Sequence, residues 1–232
     1  MQGLRMFRST SNNLLSYSMQ LIATPLTLAV AADHLTKVDA ALAPVIKKAG
    51  AATIMPHKNY YQELVESIVS QQLSVKAAAT ILKRFIALFG GDEFPTPEQI
   101  LQKDIEAFRG AGLSRQKGSY IQDLALKVIS GSVKFDHLDN LSNDEVISEL
   151  TQIKGVGVWT VHMFLMFCMG RLDVLPVGDL GIKNGIQKLY GFDHLPTPDD
   201  VQKIADANNW HPYESVASWY VWHSLDNKPA VT

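Results

Sequence analysis

The chain has 232 residues, of which 47% are apolar and 19% charged, enough for one large domain or two small ones and without a signature of disorder. Its 21 lysines and arginines against 23 aspartates and glutamates give a net charge of −2, which excludes a basic coat of the histone kind but not a local cationic patch. The single cysteine, Cys168, excludes an internal disulfide, a cysteine-built zinc site and a cysteine-ligated iron–sulfur cluster, and suits a reducing compartment.

Residues 1–32 read as an N-terminal extension with room for disorder, ahead of a domain spanning 33–232. The extension holds Arg5 and Arg8 and no acid before Asp33. That composition fits a weak transit signal, and equally an upstream start with Met6 or Met19 as initiator. The apolar run Leu21–Ala32 is broken by Thr24, Pro25 and Thr27 and is too short to span a bilayer, so no membrane role is expected.

From Asp33 onward the periodicity is helical. Leu35, Val38, Leu42, Val45 and Ile46 recur at steps of three and four, as do Tyr61, Leu64, Val65, Ile68 and Val69. A helix from Ala77 to Phe89 is predicted to stop at Gly90-Gly91. Ser114 is placed to cap a helix running to about Gly131, and Ser142 with Glu145 has the spacing of a capping box. Further helices are predicted over Val158–Met169, Leu180–Leu189, Asp199–Ala207 and Ser215–Leu225. Nowhere does a β-branched alternation stand between turn signals. The expectation is an all-α fold of about ten helices in two packed helical subdomains.

The stretch richest in chemistry is Lys154-Gly155-Val156-Gly157-Val158-Trp159, where one helix ends and another begins at once. Two glycines one residue apart permit a tight hairpin with exposed amides, which attract an anion, and Lys154 adds a point charge suited to phosphate. Gly-x-Gly alone is more often an ordinary turn. Leu175-Pro176-Val177-Gly178-Asp179 follows, with Asp179 placed to cap the next helix. Such an aspartate can simply close a helix, or serve where a positive charge must be stabilised nearby.

These two segments, with Ile68-Val69-Ser70-Gln71-Gln72-Leu73-Ser74, Gly112-Leu113-Ser114-Arg115-Gln116-Lys117 and Trp210-His211-Pro212-Tyr213, closely resemble the helix-hairpin-helix DNA glycosylase superfamily. More narrowly they resemble its alkylation-repair branch, the 3-methyladenine DNA glycosylase II family, in a compact form without an N-terminal β domain. The resemblance spans about 33–225. It implies a monofunctional enzyme that flips alkylated, cationic purines such as 3-methyladenine and 7-methylguanine out of double-stranded DNA and leaves an abasic site.

The resemblance also assigns roles. Asp179 matches the catalytic aspartate, while Asp173 reads as a surface or capping residue. Trp159 stands where bifunctional relatives carry a Schiff-base lysine, so no strand cleavage is expected. Trp159 and Trp210 match pocket aromatics, with plain core packing the alternative for each, and Met163 and Leu180 match pocket walls that are aromatic in the bacterial enzyme. Trp219 and Trp222 receive no role and are expected in the core. Gln71, Gln72 and Leu73 match the minor-groove wedge, and Lys154, Gly155, Gly157, Ser114, Arg115 and Lys117 match phosphate contacts. No metal cofactor or iron–sulfur cluster is implied, although hairpin carbonyls between Thr151 and Val156 offer a place for a structural monovalent cation. A monomer is expected, cytoplasmic in a prokaryote or nuclear in a eukaryote. A glycosylase of the same fold acting on deaminated or ethenoadenine bases is one alternative, and a non-catalytic DNA- or lesion-binding protein is the other. Asp179 favours an enzyme, because a binding module has no need of an acid there.

Overall fold

The computed structural model describes residues 4–8, 17–91 and 93–225, and within them the fold is helical. It divides into two compact units, one formed by the chain up to Lys58 together with His162 onward, the other by 59–161.

The first unit begins with an antiparallel pair, β1 (Leu4–Arg8) and β2 (Tyr17–Leu21), in the register Leu4 to Leu21 and Phe7 to Ser18. Tyr17, Met19 and Leu21 alternate with Ser18 and Gln20, a period of two over too few residues to stand out in the sequence. Leu21 extends the pairing by accepting the Leu172 N–H at 3.1 Å. Helix α1 follows over Pro25–Val38, beginning within the segment expected as an extension and running past its end at residue 32. The residues that appeared to break the apolar run start this helix. Thr24 is the N-cap, Pro25 takes the first helical position, and Thr27 closes a capping box.

Helix α2 (Ala43–Ala49) completes the N-terminal part of this unit, and α10 (Leu180–Tyr190), α11 (Pro198–Ala207) and α12 (Glu214–His223) complete the C-terminal part. Helix α12 is buried from Ser215 to Trp222 and packs on α1, α2 and α10. Gly185 lets α10 lie directly on it, since a Cβ there would meet Val221, including its carbonyl oxygen at 2.8 Å. The predicted helix Val158–Met169 is not continuous. Helix α9 (Val158–Met163) gives way to a π turn over Phe164–Cys168, a local expansion that re-aims the following side chains.

The second unit holds α3 (Tyr60–Ser70), α4 (Val75–Ala87), α5 (Pro97–Leu101), α6 (Ile105–Gly110), α7 (Arg115–Ile129) and α8 (Asn143–Leu150). Helix α7 is its hub and packs against α3, α5 and α6. Phe85, Phe108, Ile121, Leu124, Val146 and Leu150 are fully buried, with the Phe85 ring 5.5 Å from that of Phe108. The predicted caps hold, with Ser114 accepting the Lys117 N–H and Ser142 forming a capping box with Glu145.

Candidate active site

In the second unit the hairpin between α8 and α9 is held from below. Gly155 has φ of +80°, a left-handed conformation natural to glycine, and a Cβ there would run into the Tyr120 ring. Gly157 has ordinary φ, and a Cβ there would meet nothing within 4 Å. The fold therefore requires glycine at 155 and leaves 157 exposed and unobstructed. Asp123 of α7 anchors the turn by accepting the Lys154 N–H at 2.9 Å, and its carboxylate also pairs with Lys127 Nζ at 2.9 Å. Burial opposes ionisation of Asp123, but that N–H, Lys127 and Lys154 hold its carboxyl below the ordinary carboxylate range. The Lys154 side chain is 70% exposed, with its Nζ 3.7 Å from Asp123.

The turn between α3 and α4 is braced to this hairpin. Gln71 donates through Nε2 to the Gly155 carbonyl at 2.9 Å. It is thus a tie between the two loops rather than a tip residue. Gln72 is the tip, exposed and at φ of +59°, a conformation uncommon outside glycine and held by its surroundings. Leu73 beside it is 39% exposed. Lys117 does not face outward as a phosphate contact. Its ammonium donates to the carbonyls of Val69 at 2.8 Å and Gln71 at 2.6 Å, closing the C-terminal end of α3. Partial burial lowers its pKa. Ser114 is consumed as the cap of α7, and Arg115 lies exposed in a 2.7 Å pair with Glu106. Trp159, in the first turn of α9, is half exposed, as is Val158.

In the first unit Asp179 caps α10, and its Oδ1 accepts two N–H groups, from Ile182 at 2.7 Å and from the indole of Trp222 at 2.8 Å. The carboxylate is 9% exposed and fixed in orientation by donors from two helices. Trp222, left without a role by the sequence, is thereby the tryptophan joined to the acid. Gly181 makes room for it, because a Cβ there would lie 2.8 Å from the indole. A glycine in the first turn of a helix, two residues after an aspartate, was the available signal. The Phe167 ring, carried by the π turn, lies 6.0 Å from Trp222.

Trp210 is corrected. It is fully buried, and its indole N–H donates to Asp39 Oδ2 at 2.7 Å, so it has no face for a base. Asp39 also accepts from Tyr190 Oη and from the backbone of Ala41 and Leu42, a buried carboxylate saturated with donors. Burial and the Asp39 charge push the Tyr190 phenol well above its usual range. Leu180 is 61% exposed at the start of α10, and Met163 is half-buried. Asp173 is near Glu214, whose carboxyl is pushed up by burial and then by the Asp173 charge.

The family model for the HhH-GPD superfamily of base excision DNA repair proteins matches residues 65–209. The chain belongs to this superfamily. Among HhH-GPD proteins it is 40% identical to DNA-3-methyladenine glycosylase 1 of Schizosaccharomyces pombe, across 72% of this chain and 73% of that one. A solved DNA-3-methyladenine glycosidase from Bacillus halodurans superimposes with a TM-score of 0.75 at 40% identity, covering 84% of this chain and 88% of that one. The S. pombe enzyme Mag1 in complex with abasic DNA gives 0.72 at 37% identity, over 83% of this chain and 95% of that one. The hairpin, the α3–α4 turn and Asp179 all lie within the matched segment, whereas Trp222 lies beyond it.

Proposed function

We propose that this HhH-GPD protein is a monofunctional DNA glycosylase that excises cationic alkylated purines, 3-methyladenine and 7-methylguanine among them, from duplex DNA as a monomer. The observation that carries the reading is Asp179, whose Oδ1 is held by the Ile182 N–H and the Trp222 indole. An alkylated purine carries positive charge, so its glycosidic bond is already weakened. As the bond breaks, charge passes to the sugar. A carboxylate about 4 Å away, at an effective dielectric near 20, stabilises that charge by about 4 kcal/mol, which corresponds to roughly a thousandfold in rate.

The nucleotide must first leave the stack, at a cost of a few kcal/mol. Gln72 and Leu73 are suited to fill the space, since both project from a turn braced by Lys117 and Gln71. Trp159, half exposed at the start of α9, offers a π face that attracts a cationic base by about 0.5–2 kcal/mol. It also supplies no amine for a Schiff base, which supports hydrolysis without strand cleavage. The exposed hairpin glycines suit a phosphate.

The test is release of free base from methylated duplex DNA by the wild-type protein and by Asp179→Asn. Methylpurine release that falls about a thousandfold in the variant, with DNA binding retained, supports the reading. DNA binding without release by either protein would overturn it in favour of a recognition module. Borohydride trapping of a covalent adduct would overturn the monofunctional assignment.

A further inference from the structure

Helix α4 leaves the α3–α4 turn with an unusual outer face. Lys76, Thr80, Lys83 and Ala87 follow at steps of four, three and four, and Arg84 flanks them; all five are exposed. Ala78 and Phe85 take the opposite, buried side. The helix carries three cations and no acid, in a protein whose net charge is −2. Helix α8 in the same unit carries Asp144, Glu145 and Glu149 and no cation, and α7 mixes Arg115, Lys117 and Lys127 with Asp123, so α4 differs from both in exposing cations with no acid on the same helix.

The placement of the stripe is as informative as its charge. Ser74 caps α4 immediately after Leu73, so Lys76 stands four residues from the turn tip at Gln72. From Lys76 to Lys83 the helix advances about 10 Å, the axial length of about three successive phosphates on one strand of a duplex. Thr80 adds little bulk between the cations and Ala87 little beyond them, which permits close approach.

We infer that the Lys76–Lys83–Arg84 face of α4 is a second DNA-contacting surface, which holds the sugar–phosphate backbone of duplex DNA flanking the site entered by Gln72 and Leu73. This deepens the proposed function and rests on its assignment of that turn to DNA. Hairpin amides and one lysine supply little long-range attraction in an acidic protein, and the α4 face supplies the electrostatic share of affinity. The contacts are to phosphates and carry no sequence preference.

The experiment measures binding of a fluorescent duplex with a tetrahydrofuran abasic analogue, across a potassium chloride series, by fluorescence anisotropy. The proteins compared are the wild type, the triple variant Lys76→Gln, Lys83→Gln and Arg84→Gln, and a charge-matched control with Lys37→Gln, Lys47→Gln and Lys203→Gln. The α4 variant is expected to melt with the wild type, to bind more weakly at low salt, and to lose about two to three from the slope of log K against log salt, near one per phosphate contact. The control should keep the wild-type slope. An unchanged slope in the α4 variant, or an equal loss in the control, would overturn the inference. Base release from methylated DNA by the wild type is scored separately. Release with no effect of the α4 substitutions sinks this inference alone, whereas a full slope effect without release sinks the glycosylase reading and leaves α4 as a DNA surface.

Discussion

Asp179 and Trp222 are joined across two helices by one hydrogen bond, and separate substitutions distinguish charge from orientation. Asp179→Asn keeps an acceptor for Ile182 while removing the charge, and is expected to lower single-turnover excision about a thousandfold with little change in melting. Trp222→Phe keeps most of the ring and removes only the indole donor to Oδ1. It should lower excision by about tenfold to a hundredfold, the equivalent of a hydrogen bond to a charged group, and the same single-turnover assay reads it. If Trp222→Phe excised at the wild-type rate, the indole would be packing rather than positioning. The two hairpin glycines divide in a similar way. Gly155→Ala must displace Tyr120 and adopt a left-handed φ, and is expected to lower the melting temperature by several degrees. Gly157→Ala meets no neighbour and should melt like the wild type while binding DNA more weakly, because its methyl intrudes only on a ligand.

The braces between elements were less legible in the sequence than the elements themselves. Ser114, Ser142 with Glu145, and Asp179 announce their helices because a cap acts within four residues. The Thr24-Pro25-Thr27 start of α1 was also written locally, but proline and threonine inside an apolar run read as interruption. The inward turn of Lys117 could not be read. An exposed lysine at a helix N-terminus and one serving distant carbonyls have the same local sequence, and only the fold brings Val69 and Gln71 within reach. The partners of Trp210 and Trp222 could not be read for the same reason, since each buried indole needs an acceptor and the chain alone does not say which aspartate supplies it. Lys117→Met removes the donor to both carbonyls and should destabilise by about 1–3 kcal/mol, or about 2–4 °C in melting temperature per kcal/mol. Lys117→Arg should recover part of the loss. At a temperature where Lys117→Met is fully folded, excision should still be reduced, because the turn carrying Gln72 is released. The hairpin brace carries a pH signature as well. Asp123 has its carboxyl held below the ordinary range in the folded protein, so its contribution is complete above the unfolded carboxylate pKa and is lost as pH falls through the folded value. Urea unfolding should show the wild type ahead of Asp123→Asn at pH 6–7, with the gap closing below about pH 4.

At the scale of the whole molecule, the helical fold and the family were legible because five motifs fall in order along nearly all of the domain. Composition alone was silent on this, since a net charge of −2 neither suggests DNA as a ligand nor excludes a local cationic patch. The resolution lies in where charge sits. Helix α4 carries three cations and no acid, whereas α8 carries three acids and no cation. Such a protein should bind DNA with a small electrostatic share. If the hairpin holds one phosphate and α4 two or three, the slope of log K against log salt should be about −3 to −4, at roughly −0.9 per phosphate. Equilibrium binding to an abasic-analogue duplex between low and physiological salt measures it directly. A slope near zero would mean that affinity comes from the inserted turn and the hairpin amides alone. A slope near −10, typical of a strongly basic repressor, would require a cationic footprint larger than the hairpin and α4 can provide.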